Sequence, residues 1–267
     1  MTSWRAGESR RTAAPRRRPG RRAASLAALA AAAAALGAPA PARAIDCDFG
    51  GCTDVARLPP GSVDMAEIVR RAQGFFETDA KVYIVSSARV QAVLPYMLPR
   101  QPPFVARNQI HIPEIYHAVT ELKYGARPHF VWHYIIGHEM AHAHQKDLRL
   151  VEAMSAPIDS VVIAELHADF LAGFFMARNY ALSAAAVEEL LREIQDLPAG
   201  QPGEQDYHGA PGERFFAATQ GALYALARPA PTLRAASAQG VRCVFDIIAA
   251  RTAAGRGSEL CVAPPPR

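Results

Sequence analysis

The sequence predicts a mainly helical α+β domain in which a small β-sheet precedes a central pair of helices. Short apolar segments of strand length occupy the first part of the chain, and longer segments with helical periodicity follow them. Residues 45–267 are numerous enough to form one domain with a sizeable core. The sequence contains no internal repeat that would indicate a repeat architecture.

The elements are predicted in the following order. Residues 65–76 form a helix, and residues 82–85 and 110–112 form strands, the second of which ends at Pro113. Four helices are then predicted, over residues 114–123, 128–145, 158–180 and 183–194. A loop rich in proline and glycine, residues 198–212, leads into a last pair of helices.

Residues 1–44 have the composition of a signal peptide. An arginine-rich start precedes an apolar run over residues 23–36, and Ala42-Arg43-Ala44 forms an A-x-A cleavage site. The run is shorter than the ~20 residues of an ordinary membrane span, so no stable span is expected after cleavage, although an uncleaved anchor stays open. We therefore expect an exported protein, periplasmic or secreted, whose single domain comprises residues 45–267.

Removal of that segment reverses the net charge. The whole chain has 29 basic and 25 acidic residues and a net charge of +4. Residues 1–44 hold nine of the basic residues and one of the acidic residues, which leaves 20 basic and 24 acidic residues and a net charge of −4. The basic excess thus belongs to the export segment, and no nucleic-acid partner is expected.

The four cysteines, Cys47, Cys52, Cys243 and Cys261, all follow the cleavage site. An even number of cysteines in an exported chain predicts disulfides, and three pairings are possible. We favour Cys47–Cys52 with Cys243–Cys261, because the members of each pair are near in sequence. The alternative pairings join the two ends of the domain. A cysteine zinc site is less favoured, since no C-x-x-C spacing occurs.

The predicted helix 128–145 contains His138-Glu139-Met140-Ala141-His142, which is an HExxH motif. Residues four apart lie on one face of a helix, so both imidazoles can reach a single ion. Glu139 is rotated by about 100° around the helix axis, which lets it act as a general base beside an open metal position. Phe130 and Tyr134 precede the two histidines at steps of four residues, so this face of the helix is also compatible with a packed core. The alternative is therefore a helix whose histidines form hydrogen bonds within the core.

A catalytic zinc ion usually has three protein ligands, and Glu165 is the candidate for the third. Glu165 and Asp169 stand four apart within the largely apolar segment 158–180. Because an unpaired buried carboxylate is costly, both should be neutralised by a cation, a metal ion or strong donors. The alternative is a short polar face with a solvated pair of carboxylates.

The HExxH motif followed by Glu165-Leu166-His167-Ala168-Asp169 resembles the gluzincin metallopeptidases, in particular the bacterial neutral zinc metallopeptidases with HExxH followed by ExxxD. The resemblance covers about residues 105–222 and implies a zincin-like domain with an active-site helix pair. It also implies that His138, His142 and Glu165 bind Zn²⁺. Asp169 is then expected to accept the remaining N–H of a ligating imidazole.

A third segment, Tyr207-His208-Gly209-Ala210-Pro211-Gly212-Glu213-Arg214, is similar to the HG-x-x-x-x-R or HP-x-x-x-x-R stretch of these families. The resemblance places His208 near the substrate oxyanion as a hydrogen-bond donor. It also implies that Arg214 anchors the loop or binds a carboxylate, either Asp169 or Glu165. The alternative is an ordinary turn of glycine and proline before a helix.

The function implied by the resemblance is that of an exported zinc-dependent endopeptidase with Glu139 as its base. Its polypeptide substrate is expected to add as a strand near Asn108 to Ile112, unless Ile110 and Ile112 are simply core residues of a sheet. Two alternatives are a non-catalytic zinc-binding scaffold or chaperone-like protein of the same fold, and a zinc amidase acting on cell-envelope peptides. Three further histidines flank the motifs and are not expected to bind metal: His133, His144 and His167.

Overall fold

The computed structural model describes residues 47, 52–58, 64–86, 104–106, 108–124, 128–148, 150, 160–180, 185, 186, 189, 191, 192, 208–227 and 231–252. They belong to one of the two compact units into which the chain divides, Arg43–Arg267. The predicted signal segment and most of the predicted helix 183–194 lie outside the described residues. The described part of the chain is mainly helical with a small mixed sheet, so the predicted α+β class is confirmed.

The sheet consists of four short strands: β1 (Cys52–Asp54), β2 (Lys81–Val85), β3 (Phe104–Ala106) and β4 (Gln109–Pro113). Their order in the sheet is β1-β2-β4-β3. The β2–β4 pair is parallel, and the other two pairs are antiparallel. Ile110 and Ile112 of β4 are fully buried, so the core reading of these two residues is confirmed.

The described residues also form the long helices α1 (Met65–Phe76), α2 (Glu114–Tyr124), α3 (Pro128–Asp147), α4 (Ser160–Tyr180), α5 (Pro211–Leu226) and α6 (Leu233–Thr252). The predicted helices 65–76, 114–123, 128–145 and 158–180 are confirmed, with ends that differ by at most two residues. Helix α3 packs on α1 and α4, and α4 packs on α5 and α6. The helix with the HExxH motif and the helix with Glu165 therefore share one core.

The segment from Asn108 to Ile112 was predicted to receive the substrate as an edge strand, and this prediction is wrong. Its strand β4 pairs with β2 on one side and with β3 on the other, so no free side remains for a further strand. Among the strands in the described residues, the outer one at this end of the sheet is β3, which lies beside α3. Sequence reasoning missed β3 because its three residues follow Pro102-Pro103 and are too few to show an alternating pattern.

Helices α4 and α5 are in direct backbone contact at two glycines. A Cβ atom on Gly173 would lie 1.9 Å from the carbonyl oxygen of Ala218, and one on Gly221 would lie 1.8 Å from that of Phe170. Only a hydrogen atom fits at either position. The contact holds α4, which carries Glu165, against α5.

Replacement of Gly173 by alanine is expected to destabilise the protein by about 1–3 kcal/mol or more, because the added methyl group forces the two helices apart. Gly74→Ala is the matched control, since a Cβ atom at this position of α1 meets nothing within 4 Å. Alanine there should instead raise the free energy of unfolding by about 0.5–1 kcal/mol. Urea unfolding measures both effects, and a Gly173→Ala protein as stable as the wild type would contradict the direct contact.

Cys47 and Cys52 form a disulfide, as predicted. Cys243 is buried in α6 and is also disulfide-bonded, and its predicted partner Cys261 lies outside the described residues. Among the described helices, none combines the length and the apolar character that a membrane crossing requires.

Candidate metal centre

Helices α3 and α4 bring the three predicted ligands together in the core. His138 Nε2 lies 3.2 Å from His142 Nε2 and 3.1 Å from Glu165 Oε2, and His142 Nε2 lies 3.3 Å from the same oxygen. Ligand atoms of a tetrahedral zinc ion with bonds of about 2.0–2.1 Å lie about 3.3 Å apart. In the described part of the chain, this is the one group of His, Cys, Asp and Glu side chains that could hold a metal ion.

The hydrogen bonds on the outer nitrogens assign the tautomer of each imidazole. His138 Nδ1 lies 2.9 Å from Asp169 Oδ1, and His142 Nδ1 lies 3.0 Å from Gln145 Oε1. Both oxygens accept hydrogen bonds, so each Nδ1 donates and each Nε2 of a neutral ring carries a lone pair. Two lone pairs and a carboxylate oxygen thus converge on one point. Such an arrangement requires a cation, either a metal ion or a proton.

The charges around this group favour a cation. Burial lowers the pKa of His138, but the carboxylates of Asp169 and Glu165 outweigh burial and raise this pKa to about 10. Burial also opposes protonation of His142, and Glu165 more than compensates and raises its pKa. For Glu165, burial raises the pKa, but the surrounding histidines hold it well below its ordinary value. A metal ion can therefore take the place of the proton that His138 otherwise holds.

Metal binding is expected to release protons. Because the pKa of His138 is about 10, its ring is protonated at neutral pH in the metal-free protein and must lose that proton to become a ligand. Zinc affinity should therefore rise about tenfold per pH unit for each released proton between about pH 6 and pH 8. Calorimetric titrations in buffers of different ionisation enthalpy count the released protons. A zinc affinity that does not change with pH would contradict this assignment.

Asp169 supports His138 from the side opposite the ligand atoms. Its carboxylate is completely buried and accepts hydrogen bonds from the Tyr134 hydroxyl at 2.6 Å and from Arg214 Nε and Nη2 at 3.0 and 3.2 Å, besides the bond from His138. Burial raises the pKa of Asp169, but Arg214 and His138 outweigh burial and hold this pKa well below its usual range. The carboxylate is therefore ionised and remains an acceptor for His138.

A tight turn before α5 brings His208 to the site. Gly209 has φ +98°, a conformation that favours glycine, and Pro211 begins the helix. The Glu213 side chain accepts the backbone N–H of Ala210 at 3.0 Å, which closes the turn. His208, one residue before Gly209, is thereby buried in the core rather than directed to solvent.

His208 lies next to the ligand group. Its Nε2 atom is 3.3 Å from Glu165 Oε2, and its ring centroid is 5.9 Å from that of His138. Arg214, in the first turn of α5, binds Asp169 and not Glu165. The segment 207–214 thus contributes His208, which lies beside the ligand Glu165, and Arg214, which binds Asp169.

Glu139 lies among the ligands without belonging to the ligand group. Its side chain is buried, and the charges of His138, His142 and Glu165 act on its carboxylate. Burial raises the pKa of Glu139, although the nearby His138 and His142 act in the opposite direction. A buried carboxylate with a raised pKa beside a metal site is suited to accept and return a proton.

Sequence reasoning missed three side chains that form hydrogen bonds around the ligand group: Tyr134, Gln145 and His167. Helical spacing was the available signal for two of them, because Tyr134 stands four residues before His138 and Gln145 three residues after His142. His167 accepts a hydrogen bond from Gln145 at 2.9 Å, and burial lowers its pKa to about 4, so its ring is neutral.

The flanking histidines lie outside the ligand group that the described residues form. His144 directs Nδ1 toward the carbonyl oxygen of Phe76 at 3.1 Å. The ring of His133 packs edge-to-face on Tyr180, with centroids 4.6 Å apart. His167 directs Nε2 toward a backbone carbonyl of α6 at 3.0 Å. Each of these rings therefore has a structural contact that directs it away from the metal position.

Comparisons of the chain with protein-family models, curated proteins and solved structures give no match. The site itself is a buried cluster of two histidines and one glutamate that is able to hold a metal ion.

Proposed function

We propose that this protein is an exported zinc-dependent endopeptidase of the gluzincin type, with a zincin-like fold. The observation that carries the proposal is the convergence of His138 Nε2, His142 Nε2 and Glu165 Oε2 at 3.1–3.3 Å from one another. Two nitrogens and one carboxylate oxygen are a donor set that zinc accepts. Three protein ligands leave a fourth position for water, which distinguishes catalytic from structural zinc sites.

The side chains around the ligands can perform the proton transfers of peptide hydrolysis. A zinc ion held by His138, His142 and Glu165 would supply a water of lowered pKa and would polarise the substrate carbonyl. Glu139 accepts a proton from the attacking water and, because its pKa is raised, can pass that proton to the leaving amine. His208 donates a hydrogen bond to the carbonyl oxygen as negative charge develops there. Asp169 keeps the ring of His138 oriented with Nε2 toward the metal.

The substrate is proposed to be an extended polypeptide that adds as a strand to β3. Of the strands that the structure describes, this is the outer one at its end of the sheet, and it lies beside α3, which carries the HExxH motif. Strand addition uses main-chain hydrogen bonds and therefore tolerates many substrate sequences. The Cys47–Cys52 disulfide supports the proposed export, since disulfides persist in oxidising compartments.

Zinc content of the purified protein tests the proposed site. We expect one equivalent per chain in the wild type and a large loss in His138→Ala and Glu165→Ala, because two ligands hold zinc weakly. His144→Ala is the matched control, since His144 lies two residues after His142 but contacts the Phe76 carbonyl. The control should keep its zinc. A folded wild type that takes up no zinc would refute the proposal.

The second candidate is a non-catalytic zinc-binding scaffold, and one observation favours it. His208 Nε2 lies 3.3 Å from Glu165 Oε2, which is also the spacing of two ligands of one zinc ion. A fourth protein ligand would close the site and leave no position for water. The visible spectrum of the cobalt-substituted protein separates the two functions, because His208→Ala changes this spectrum only if His208 is a ligand.

A further inference from the structure

We infer that Gln145 and His167 are positioning residues of the metal centre, which hold His142 through a chain of hydrogen bonds that ends on α6. The chain joins His142 Nδ1 to Gln145 Oε1 at 3.0 Å, Gln145 Nε2 to His167 Nδ1 at 2.9 Å, and His167 Nε2 to the carbonyl oxygen of Ser237 at 3.0 Å. Gln145 and His167 are completely buried. The inference rests on the proposed zinc site but not on peptide hydrolysis.

Two backbone carbonyls set the direction of this chain. The Ser237 carbonyl can only accept, so His167 carries its hydrogen on Nε2 and a lone pair on Nδ1. The Ala164 carbonyl, 2.8 Å from Gln145 Nε2, can also only accept, so the amide nitrogen of Gln145 faces both Ala164 and His167. The amide oxygen is then left for His142. His142 must donate through Nδ1 and present the lone pair of Nε2 to the metal.

Gln145 also links the two helices that carry the ligands. It lies on α3, three residues after His142, and binds the backbone of α4 at Ala164, directly before Glu165. One amide therefore orients a ligand of α3 and fixes the backbone beside the ligand of α4. Because the amide is neutral, it orients His142 without placing a second carboxylate near Glu165. His138, by contrast, is oriented by the ionised carboxylate of Asp169.

Helix α6 holds the far end of this hydrogen-bond chain, because Gly240 allows the helix backbone to approach His167 closely. A Cβ atom on Gly240 would lie 2.8 Å from Cδ2 of His167, so the helix backbone touches the imidazole ring here. One turn earlier, Ser237 accepts the N–H of the same ring. The ring is thus held between α6 and Gln145. A helix that contributes no ligand therefore helps to orient one.

Gln145→Met tests the inference. Methionine has a similar length but no amide, so His142 loses its acceptor, and zinc affinity measured by chelator competition is expected to fall about 10–100-fold. Gln73→Met is the matched control, because Gln73 Nε2 donates to the Ala80 carbonyl at 3.0 Å without touching a ligand. Its zinc affinity should equal that of the wild type. Unchanged affinity in Gln145→Met would overturn the inference.

Long-range ¹H–¹⁵N spectra of the zinc-loaded wild type test the same hydrogen-bond chain without any substitution. This measurement can therefore be made even if Gln145→Met does not fold. We expect a proton on Nδ1 of His142 and on Nε2 of His167. A His167 ring protonated on Nδ1 would reverse the chain and overturn the inference. If the wild type binds zinc and Gln145→Met binds it equally well, the inference fails alone; a wild type without zinc refutes both the inference and the proposed function.

Discussion

Replacement of Glu139 by glutamine is expected to lower kcat/KM for peptide hydrolysis by about 10²–10⁴-fold, the usual contribution of a positioned general base. The glutamine amide has nearly the same size as the carboxylate but cannot accept a proton from the attacking water. Because Glu139 is not in the ligand group, the zinc content should stay at the wild-type value. Hydrolysis of a fluorescently labelled unfolded protein, measured beside elemental analysis, tests both expectations.

Glu67→Gln is the matched control for this substitution. Glu67 is an exposed residue of α1 that pairs with Arg70 and Arg71, so its loss should leave hydrolysis unchanged. If Glu139→Gln retains wild-type activity, the base is another group and the proposed mechanism is wrong. A zinc-loaded wild type that cleaves no unfolded protein favours the scaffold. Cleavage restricted to cell-envelope peptides favours the zinc amidase.

The ligand group could be predicted from the sequence because its spacing is local. His138 and His142 lie four residues apart on one helix, and Glu165 and Asp169 lie four apart on the next, so each pair shares a face whatever the rest of the chain does. Both helices are largely apolar and must be buried, which leaves few ways to arrange the two faces other than against each other. The buried cluster of His138, His142 and Glu165 has this arrangement.

The resemblance implies Asp169 as an acceptor for a ligating imidazole, but the full hydrogen-bond chain that orients His142 could not be predicted, because it joins distant segments through groups that the sequence does not distinguish. His167 and Gln145 are polar residues of ordinary appearance, and the final acceptor, at Ser237, is a backbone carbonyl that every residue possesses. The strand order is a similar case. The interior position of β4 depends on β3, a segment of only three residues.

Replacement of Arg214 by methionine is expected to destabilise the protein by about 3–5 kcal/mol, because it removes one partner of a buried ion pair and leaves the Asp169 carboxylate with His138 as its remaining cationic neighbour. Arg214 binds both oxygens of Asp169, which is completely buried. With that support lost, Asp169 should orient His138 less well, and zinc affinity should fall about 10–100-fold. Urea unfolding of the metal-free protein and chelator competition measure the two effects separately.

A double-mutant cycle with Asp169→Asn identifies the ion pair as the cause. Each single substitution removes one partner of the buried Arg214–Asp169 pair, whereas the double variant removes both charges, so its destabilisation should be smaller than the sum of the two by about 0.5–3 kcal/mol. Arg71→Met is the matched control, since Arg71 pairs with Glu67 at the surface with 45% of its side chain exposed. Loss of such an exposed pair costs about 0.3–0.5 kcal/mol. If Arg214→Met costs no more than this control, Asp169 does not depend on Arg214 for its charge, and the orientation of His138 must have another source.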